Sequence, residues 1–391
     1  MSDQHLGGNW NYPNSITAGA GTVAQLSDAA IQMGMRAPLV VTDPALAALP
    51  MIAAALERCG AAGLNAGLFS QVRANPTGQT IIDGVQAYRA GGHDGVIGFG
   101  GGSSIDVAKA VALMVGQDCP LWEFEDRGDN WRRANEAEIA AIIAVPTTAG
   151  TGSEVGRAAV IIDDAHQVKK IIFHPNMLPS RVILDPELTL ELPPSLTAAT
   201  GMDALSHNLE ALCSPSYHPM AQGIAVEGIR LIKEHLPEAV ANGHNLEARM
   251  QMLVASSMGA TAFQKGLGAM HALAHPLGAL FDAHHGLLNA ILMPYVLQAN
   301  RDEIQASIER TARYIGLDNA TFDGFLNWVL ALRRQVGIPH SLNAIGIDDS
   351  QLDKVGKMAT EDPSAGGNPI AFTAAQYAQL CGCAIRGELA S

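Results

Sequence analysis

Asp203 and His207 stand four residues apart in the segment Thr200-Gly-Met-Asp-Ala-Leu-Ser-His. On a helix that spacing puts a carboxylate and an imidazole on one face, within reach of a single ion. Alone, such a pair is more often a helix-stabilising contact than a ligand set. Farther along, His271, His275, His284 and His285 fall within a stretch made mostly of Ala, Leu, Phe and Gly. Burying several imidazoles among apolar side chains costs free energy unless each finds a partner, and a cation satisfies several at once. A nitrogen and oxygen set without thiolate suits Fe²⁺, Zn²⁺ or Mn²⁺ and does not choose among them. Nor does spacing decide which of these histidines complete the set.

A second group of residues is suited to anions. Gly98-Phe-Gly-Gly-Gly-Ser-Ser104 follows an apolar run and opens a helical segment, Ile105–Val115. Its amides are thereby placed at a helix N-terminus, where a pyrophosphate is favoured. The spacing is not GxGxxG, and a plain βα turn would fit it too. Val145-Pro-Thr-Thr-Ala-Gly-Thr-Gly-Ser-Glu154 supplies another strand-to-loop element rich in hydroxyls and backbone donors. Together the two loops make a dinucleotide the expected ligand. Asp43, at the end of Leu39-Val-Val-Thr, is placed to accept bonds from ribose hydroxyls and to repel a 2′-phosphate. It is equally suited to starting a turn before Pro44.

These residues need elements to position them. From about residue 37 short β-rich runs alternate with helical ones in a βαβ rhythm. Val96-Ile97-Gly98 and Ile142-Ile143-Ala144-Val145 are apolar without alternation, as in strands covered on both faces. After Asp185-Pro186 such runs stop. Segments such as Ala221–His235, Leu246–Phe263 and Ile304–Tyr314 carry helical apolar spacing. With 391 residues the chain exceeds one ordinary core. The expected architecture is α/β plus all-α: a Rossmann-like parallel-sheet domain over residues 1–190, then an all-helical metal-binding domain over 191–391, with Pro193-Pro194 as hinge and catalysis at the cleft between them.

A net charge of −14, with no cluster of Lys and Arg, argues against nucleic acid as partner and for a small molecule. The five cysteines lack CxxC or paired zinc spacing, the reading expected of reduced thiols in the cytoplasm. The N-terminal run Met-Ser-Asp-Gln-His has neither basic patch nor apolar stretch, so no signal or membrane segment is expected. Self-association as a homodimer or larger homo-oligomer is the remaining expectation.

Across nearly its whole length the chain resembles the iron-containing (group III) alcohol dehydrogenases. The resemblance is carried by Gly100-Gly-Gly-Ser-Ser-Ile-Asp-Val-Ala-Lys109, Pro146-Thr-Thr-Ala-Gly-Thr-Gly-Ser-Glu154, Asp185-Pro-Glu-Leu-Thr, Gly201-Met-Asp-Ala-Leu-Ser-His207 and His271-Ala-Leu-Ala-His-Pro-Leu-Gly278. It implies the architecture shared with dehydroquinate synthase, and metal ligands at Asp203, His207, His271 and His285. His-Gly followed by Asn289-Ala-Ile-Leu-Met-Pro sets the frame on His285 over His284, leaving His284 as a pocket wall or outer neighbour. It further implies cofactor contacts at Asp43, Asn75, Gly100, Gly101, Gly102, Ser103, Thr147, Thr148, Thr151, Val160 and Lys169. Lys169 is preferred to Lys170 by counting back from Pro175. Asp43 favours NAD over NADP.

The implied reaction is reversible hydride transfer between NAD and an alcohol whose oxygen meets the cation, Fe²⁺ first, with Zn²⁺ or Mn²⁺ as alternatives. His275, one turn from His271, is the candidate proton relay. Competing readings are a polyol dehydrogenase of the glycerol dehydrogenase type, a dehydroquinate synthase-like lyase and a non-catalytic metal-binding protein. The lyase needs a basic pocket absent beside these histidines, and maleylacetate reductase, though related, uses no metal. The substrate is a primary alcohol, a diol or a hydroxy acid. Arg157 is a candidate for a substrate carboxylate.

Overall fold

The computed structural model describes Tyr12 and residues 14–166 and 168–389. The N-terminal run Met1–His5 lies outside these residues. The chain divides into two compact units: one ends at Glu191, and the other holds the residues from Leu192 onward together with Tyr12.

The first unit holds strands β1 (Ser15–Ala18), β2 (Pro38–Val41), β3 (Gly67–Phe69), β4 (Gly95–Gly100), β5 (Ala141–Pro146), β6 (Ala158–Asp163), β7 (Val168–Phe173) and β8 (Arg181–Leu184). Its helices are α1 (Leu26–Gln32), α2 (Pro44–Ala47), α3 (Pro50–Ala61), α4 (Gly78–Ala90) and α5 (Gly102–Met114). Six strands form one parallel sheet in the order β1-β8-β5-β4-β2-β3. The unbroken apolar runs follow from cover on both faces. Leu39, Val41, Val96 and Ile142 join a core with Ile81 of α4 and Val107 and Val111 of α5. Their neighbours Val40, Ile97, Ile143 and Val145 join the opposite core, with Leu26 of α1 and Ile52 and Ala55 of α3. One element departs from the expected all-parallel pattern: β6 and β7 pair as an antiparallel hairpin, a separate two-stranded sheet.

The second unit is helical: α6 (Pro194–Cys213), α7 (Pro219–Ala241), α8 (Leu246–Ala262), α9 (Ala269–Phe281), α10 (His285–Ala299), α11 (Arg301–Tyr314), α12 (Phe322–Gln335), α13 (Leu352–Glu361) and α14 (Ala374–Arg386). No described helix is long and apolar enough to cross a membrane. Pro193 and Pro194, expected as a hinge, are the N-cap and first residue of α6, where a missing N–H costs nothing. Helix α6 is buried for most of its length and packed by α7, α8 and α10.

Buried cations fix both ends of α6. Arg249 donates to Thr197 Oγ1 at 2.8 Å and to the Leu192 carbonyl at 3.2 Å, at its start. Lys265 donates to the carbonyls of Ala211 at 2.9 Å, Leu212 at 3.0 Å and Ser214 at 2.5 Å, at its end. A cation is favoured at a helix C-terminus, although burial draws the Lys265 ammonium down to about 8.

Helix α10 contains Pro294, which cannot donate to the carbonyl of Ala290. Arg333 reaches this spot from α12, with Nη1 3.5 Å from the Ala290 oxygen and 2.8 Å from that of Ile291. Its Nη2 meets Nδ1 of His340 at 2.8 Å, which assigns the ring proton to Nε2, itself 3.1 Å from the Gly387 carbonyl. Arg333→Met keeps much of the apolar stem and leaves these acceptors unpaired. The expected loss of stability is about 2–3 kcal/mol, read as a lower urea midpoint with an unchanged slope.

Candidate active site

In the first unit β2 has β3 on one side and β4 on the other. At such a reversal of strand order the carboxyl ends of the strands open a crevice that binds ligands. Asp43 follows β2, Gly100 ends β4, and Gly101 to Ser103 follow it. The loop after β5 lies alongside, with the Thr147 amide donating to the Gly100 carbonyl at 3.0 Å. A Cβ on Gly102 would stand 2.5 Å from Cγ2 of Thr151, and one on Gly101 would stand 3.5 Å from Thr148. Ser103 Oγ donates to the Ala74 carbonyl at 2.6 Å and so holds the segment bearing Asn75 against the first turn of α5. The N-cap of α5 is Gly101, with no described side chain capping its amides. These donors are therefore available to an anion.

Asp106 and Lys109 hold the two loops together. Asp106 accepts from Ser153 Oγ at 2.5 Å and from the Val160 amide at 2.9 Å, and Lys109 Nζ lies 3.1 Å from its Oδ1. Lys109 also donates to the carbonyls of Ser153 and Ala158. The Val160 amide is thus used inside the protein, so a role for Val160 toward a cofactor falls to its side chain or carbonyl. Asp43 caps α2, its Oδ1 accepting from the amides of Ala45 at 2.9 Å and Leu46 at 3.0 Å. The turn-starting role is therefore present, and it uses one of the two carboxylate oxygens.

Lys170 lies 2.9 Å from Asp163 and 3.7 Å from Glu125, over the Trp122 ring. Burial alone would raise the Asp163 carboxyl, but hydrogen bonds from Lys170 and His166 outweigh it and hold the group at about 2. Lys169, opposite Ile162 in the hairpin, faces the other side by strand alternation. Arg157 stacks over Phe173, and burial lowers its pKa against the opposing charge of Asp126.

In the second unit Asp203, His207 and His271 are buried, and their candidate ligand atoms all lie within 4.8 Å of one another. The first two come from adjacent turns of α6 and the third from the first turn of α9. Asp282, in the left-handed region at φ 50°, ends α9 and turns the chain back. His285 then opens α10, its Nε2 3.8 Å from Asp203 Oδ1 and its ring centroid 5.2 Å from that of His271. Gly286 makes this approach possible, because a Cβ there would stand 2.6 Å from the Ala199 carbonyl. His284, expected as a pocket wall or outer neighbour, is the exposed N-cap of α10, with Nδ1 accepting from the Leu287 amide at 3.3 Å. As cap it points its acceptor at the helix end, which the neighbouring-residue argument could not show. Phe263 covers His207 at 5.2 Å between ring centroids.

Three side chains at this centre were not singled out from the sequence. Glu210 Oε2 lies 2.6 Å from His271 Nδ1, and its Oε1 accepts from the Met270 amide at 2.7 Å. The signal was its position one turn beyond His207, on the same face of α6. Asp362 Oδ2 lies 2.8 Å from His275 Nδ1. Asn289 Nδ2 lies 2.8 Å from Asp203 Oδ1, 3.1 Å from His271 Nε2 and 3.2 Å from His285 Nε2.

These contacts set the proton positions. Nδ1 of His271 donates to Glu210, leaving its Nε2 lone pair directed at the centre. Burial disfavours a charged His271, but Glu210, Asp203 and Asp362 outweigh it and raise its pKa. Burial raises the Asp362 carboxyl, and the His275 contact reverses the direction, so the group lies below its ordinary value. His275 stacks on His285, ring centroids 5.4 Å apart and planes 13° apart.

The donor set fits a divalent cation. Asp203 Oδ1, His271 Nε2 and His285 Nε2 converge on one amide nitrogen whose two protons cannot serve three acceptors. A cation can serve all of them, and the mixture of one carboxylate with imidazoles suits a first-row divalent ion.

The chain thus joins a parallel α/β unit, with glycine- and hydroxyl-rich loops at a sheet reversal, to a helical unit with a carboxylate-imidazole cluster, the architecture of a class of two-unit oxidoreductases. Residues 13–186 match the family model for iron-containing alcohol dehydrogenase, and residues 197–384 match that for the Fe-containing alcohol dehydrogenase family, C-terminal. The chain belongs to the iron-containing alcohol dehydrogenases. It is 39% identical over 381 residues to a 4-hydroxybutyrate dehydrogenase of Cupriavidus necator, covering 94% of this chain and 97% of the relative. It is 32% identical over 382 residues to an NAD-dependent methanol dehydrogenase of Bacillus methanolicus, covering 95% and 98%. Among solved structures a 1,3-propanediol oxidoreductase superposes with TM-score 0.90 at 30% identity, over 96% of this chain and 99% of that one.

Proposed function

We propose that the protein catalyses reversible, NAD-linked oxidation of a primary alcohol, diol or hydroxy acid, using a divalent cation held by Asp203, His207, His271 and His285. The observation that carries the reading is the convergence of buried acceptors on one point between α6, α9 and α10. Fe²⁺ is the first choice of ion, by family, with Zn²⁺ or Mn²⁺ compatible with the same donors. The relatives named for 4-hydroxybutyrate and methanol, and the structure named for 1,3-propanediol, support a hydroxyl on a terminal carbon. Arg157, stacked over Phe173, is the cation this reading assigns to the carboxylate of a hydroxy acid.

When bound, the cation supplies the charge that favours loss of the alcohol proton, and NAD supplies the hydride acceptor. The protein's own groups do the rest. The amides of Gly101 to Ser103 at the start of α5, with Gly100 before them, receive the pyrophosphate, and Thr147, Thr148 and Thr151 close over it from the second loop. Asp43, through the oxygen not used in its cap, accepts from a ribose hydroxyl and disfavours a 2′-phosphate, so NAD is preferred to NADP. Asn75, Val160 and Lys169 complete the contacts. Asp362 holds His275 with its proton on Nδ1, leaving Nε2 as the basic nitrogen that takes the alcohol proton onward. A cytoplasmic location and a homo-oligomeric assembly belong to the same reading.

The test is NAD reduction by protein stripped of metal with a chelator and then supplied with Fe²⁺, Zn²⁺ or Mn²⁺. A panel of primary alcohols, diols and hydroxy acids serves as substrates. Stripping is expected to abolish activity and at least one ion to restore it. Activity that persists after complete stripping would overturn the reading.

A further inference from the structure

We infer that Glu210 is a positioning residue that sets the affinity of the centre for its cation, acting through His271 although it supplies no ligand atom itself. The inference rests on the proposed metal site.

Asp203, His207 and Glu210 occupy successive turns of one face of α6. An imidazole that offers Nε2 to a cation must carry its proton on Nδ1, and its ring must not rotate. Glu210 meets both needs. Its Oε2 is 2.6 Å from His271 Nδ1, while its Oε1 is held at 2.7 Å by the amide of Met270, the residue before. Two donors from consecutive residues fix both oxygens, and therefore the plane of the carboxylate and of the ring. The Met270 amide lies in the first turn of α9, where helix amides lack partners and negative charge is favoured.

Both side chains are almost wholly buried, so water cannot replace the contact. The carboxylate also increases the electron density that His271 offers at Nε2. One face of α6 would thus supply two ligands directly and steer the third.

A purely structural role, capping α9, predicts something different: lower stability of the metal-free protein with unchanged affinity once folded. The full-length metal-free protein is titrated with Zn²⁺ against a competing chelator, and NAD affinity and thermal unfolding are measured in parallel. Glu210→Gln, which keeps the shape but lacks the charge and has one donor end, is expected to weaken Zn²⁺ binding by about 10–100-fold, with NAD affinity unchanged. In a His271→Ala background the same substitution is expected to change Zn²⁺ affinity by less than about threefold, because the path through the ring is gone. Affinity within about threefold of the parent in folded Glu210→Gln, or equal losses in both backgrounds, would overturn the inference. If Glu210→Gln does not fold, Glu210→Asp preserves the charge but not the reach, and parental affinity in that variant overturns it equally. Absence of Zn²⁺ binding by the parent protein would instead overturn the metal site itself, and the inference with it.

Discussion

His271→Ala is expected to lower kcat by about a thousandfold or more while leaving the dissociation constant of NAD nearly unchanged. Charge stabilisation by a catalytic cation is worth several kcal/mol, and each factor of ten corresponds to about 1.4 kcal/mol. His271 is the most deeply enclosed of the three clustered ligands, with 1% of its surface exposed, and its Nε2 is directed at the centre. Alanine would remove a donor and leave Glu210 buried without its partner. The loops proposed for NAD lie in the other unit, on strands whose packing does not involve His271. Steady-state kinetics with calorimetry of NAD binding separates the two effects. Simultaneous loss of turnover and NAD affinity would assign the residue a structural role.

The second large effect is expected at Gly100. Its φ of +150° is a conformation that side-chain-bearing residues rarely adopt, and an added Cβ would stand 2.7 Å from Ser104 Oγ and 3.1 Å from Leu46. Gly100→Ala must shift the loop between β4 and α5, and with it the amides placed for the pyrophosphate. The carbonyl of Gly100 also receives the Thr147 amide, so the second loop moves too. NAD binding is expected to weaken by about tenfold or more, the equivalent of one or two lost hydrogen bonds. Affinity of the metal-free protein for Zn²⁺ should remain at the parental value. Unchanged NAD affinity would remove the glycine loop from the cofactor site.

These expectations differ in how much of their basis was legible in the sequence. The parallel sheet could be read because both faces of β4 and β5 are covered, which writes itself as unbroken apolar runs such as Val96-Ile97 and Ile142-Ile143. The β6–β7 hairpin could not, because the alternating burial of β6 resembles any amphipathic segment, and antiparallel pairing depends on a turn at residues 164–166 with no distinctive signature. Asp203 and His207 could be paired by helical spacing. The proximity of His271 and His285 depends on how α9, the reversal at Asp282 and α10 pack on α6, which no local pattern encodes.

Partners that act at a distance in sequence were the least accessible. Glu210 is 61 residues from His271 and Asp362 is 87 residues from His275; the helical spacing puts Glu210 on the face of His207 but does not name His271 as its partner, and nothing local marks Asp362. The sequence frame around Asn289 marks His285 and not Asn289 itself, although the Asn289 amide contacts three donor atoms of the centre. His284 shows the converse. Adjacent in sequence to His285, it caps the helix that His285 opens, so the two neighbours have different local duties.

The most direct test of the central claim follows the hydrogen itself. A primary alcohol deuterated at the carbinol carbon is incubated with NAD and the metal-loaded protein, and the reduced cofactor is examined by NMR. Direct transfer predicts deuterium at C4 of the nicotinamide, on one face only, and none after the cation is stripped. Reduced cofactor that carries hydrogen from solvent, or deuterium transfer that continues without the cation, would contradict the account.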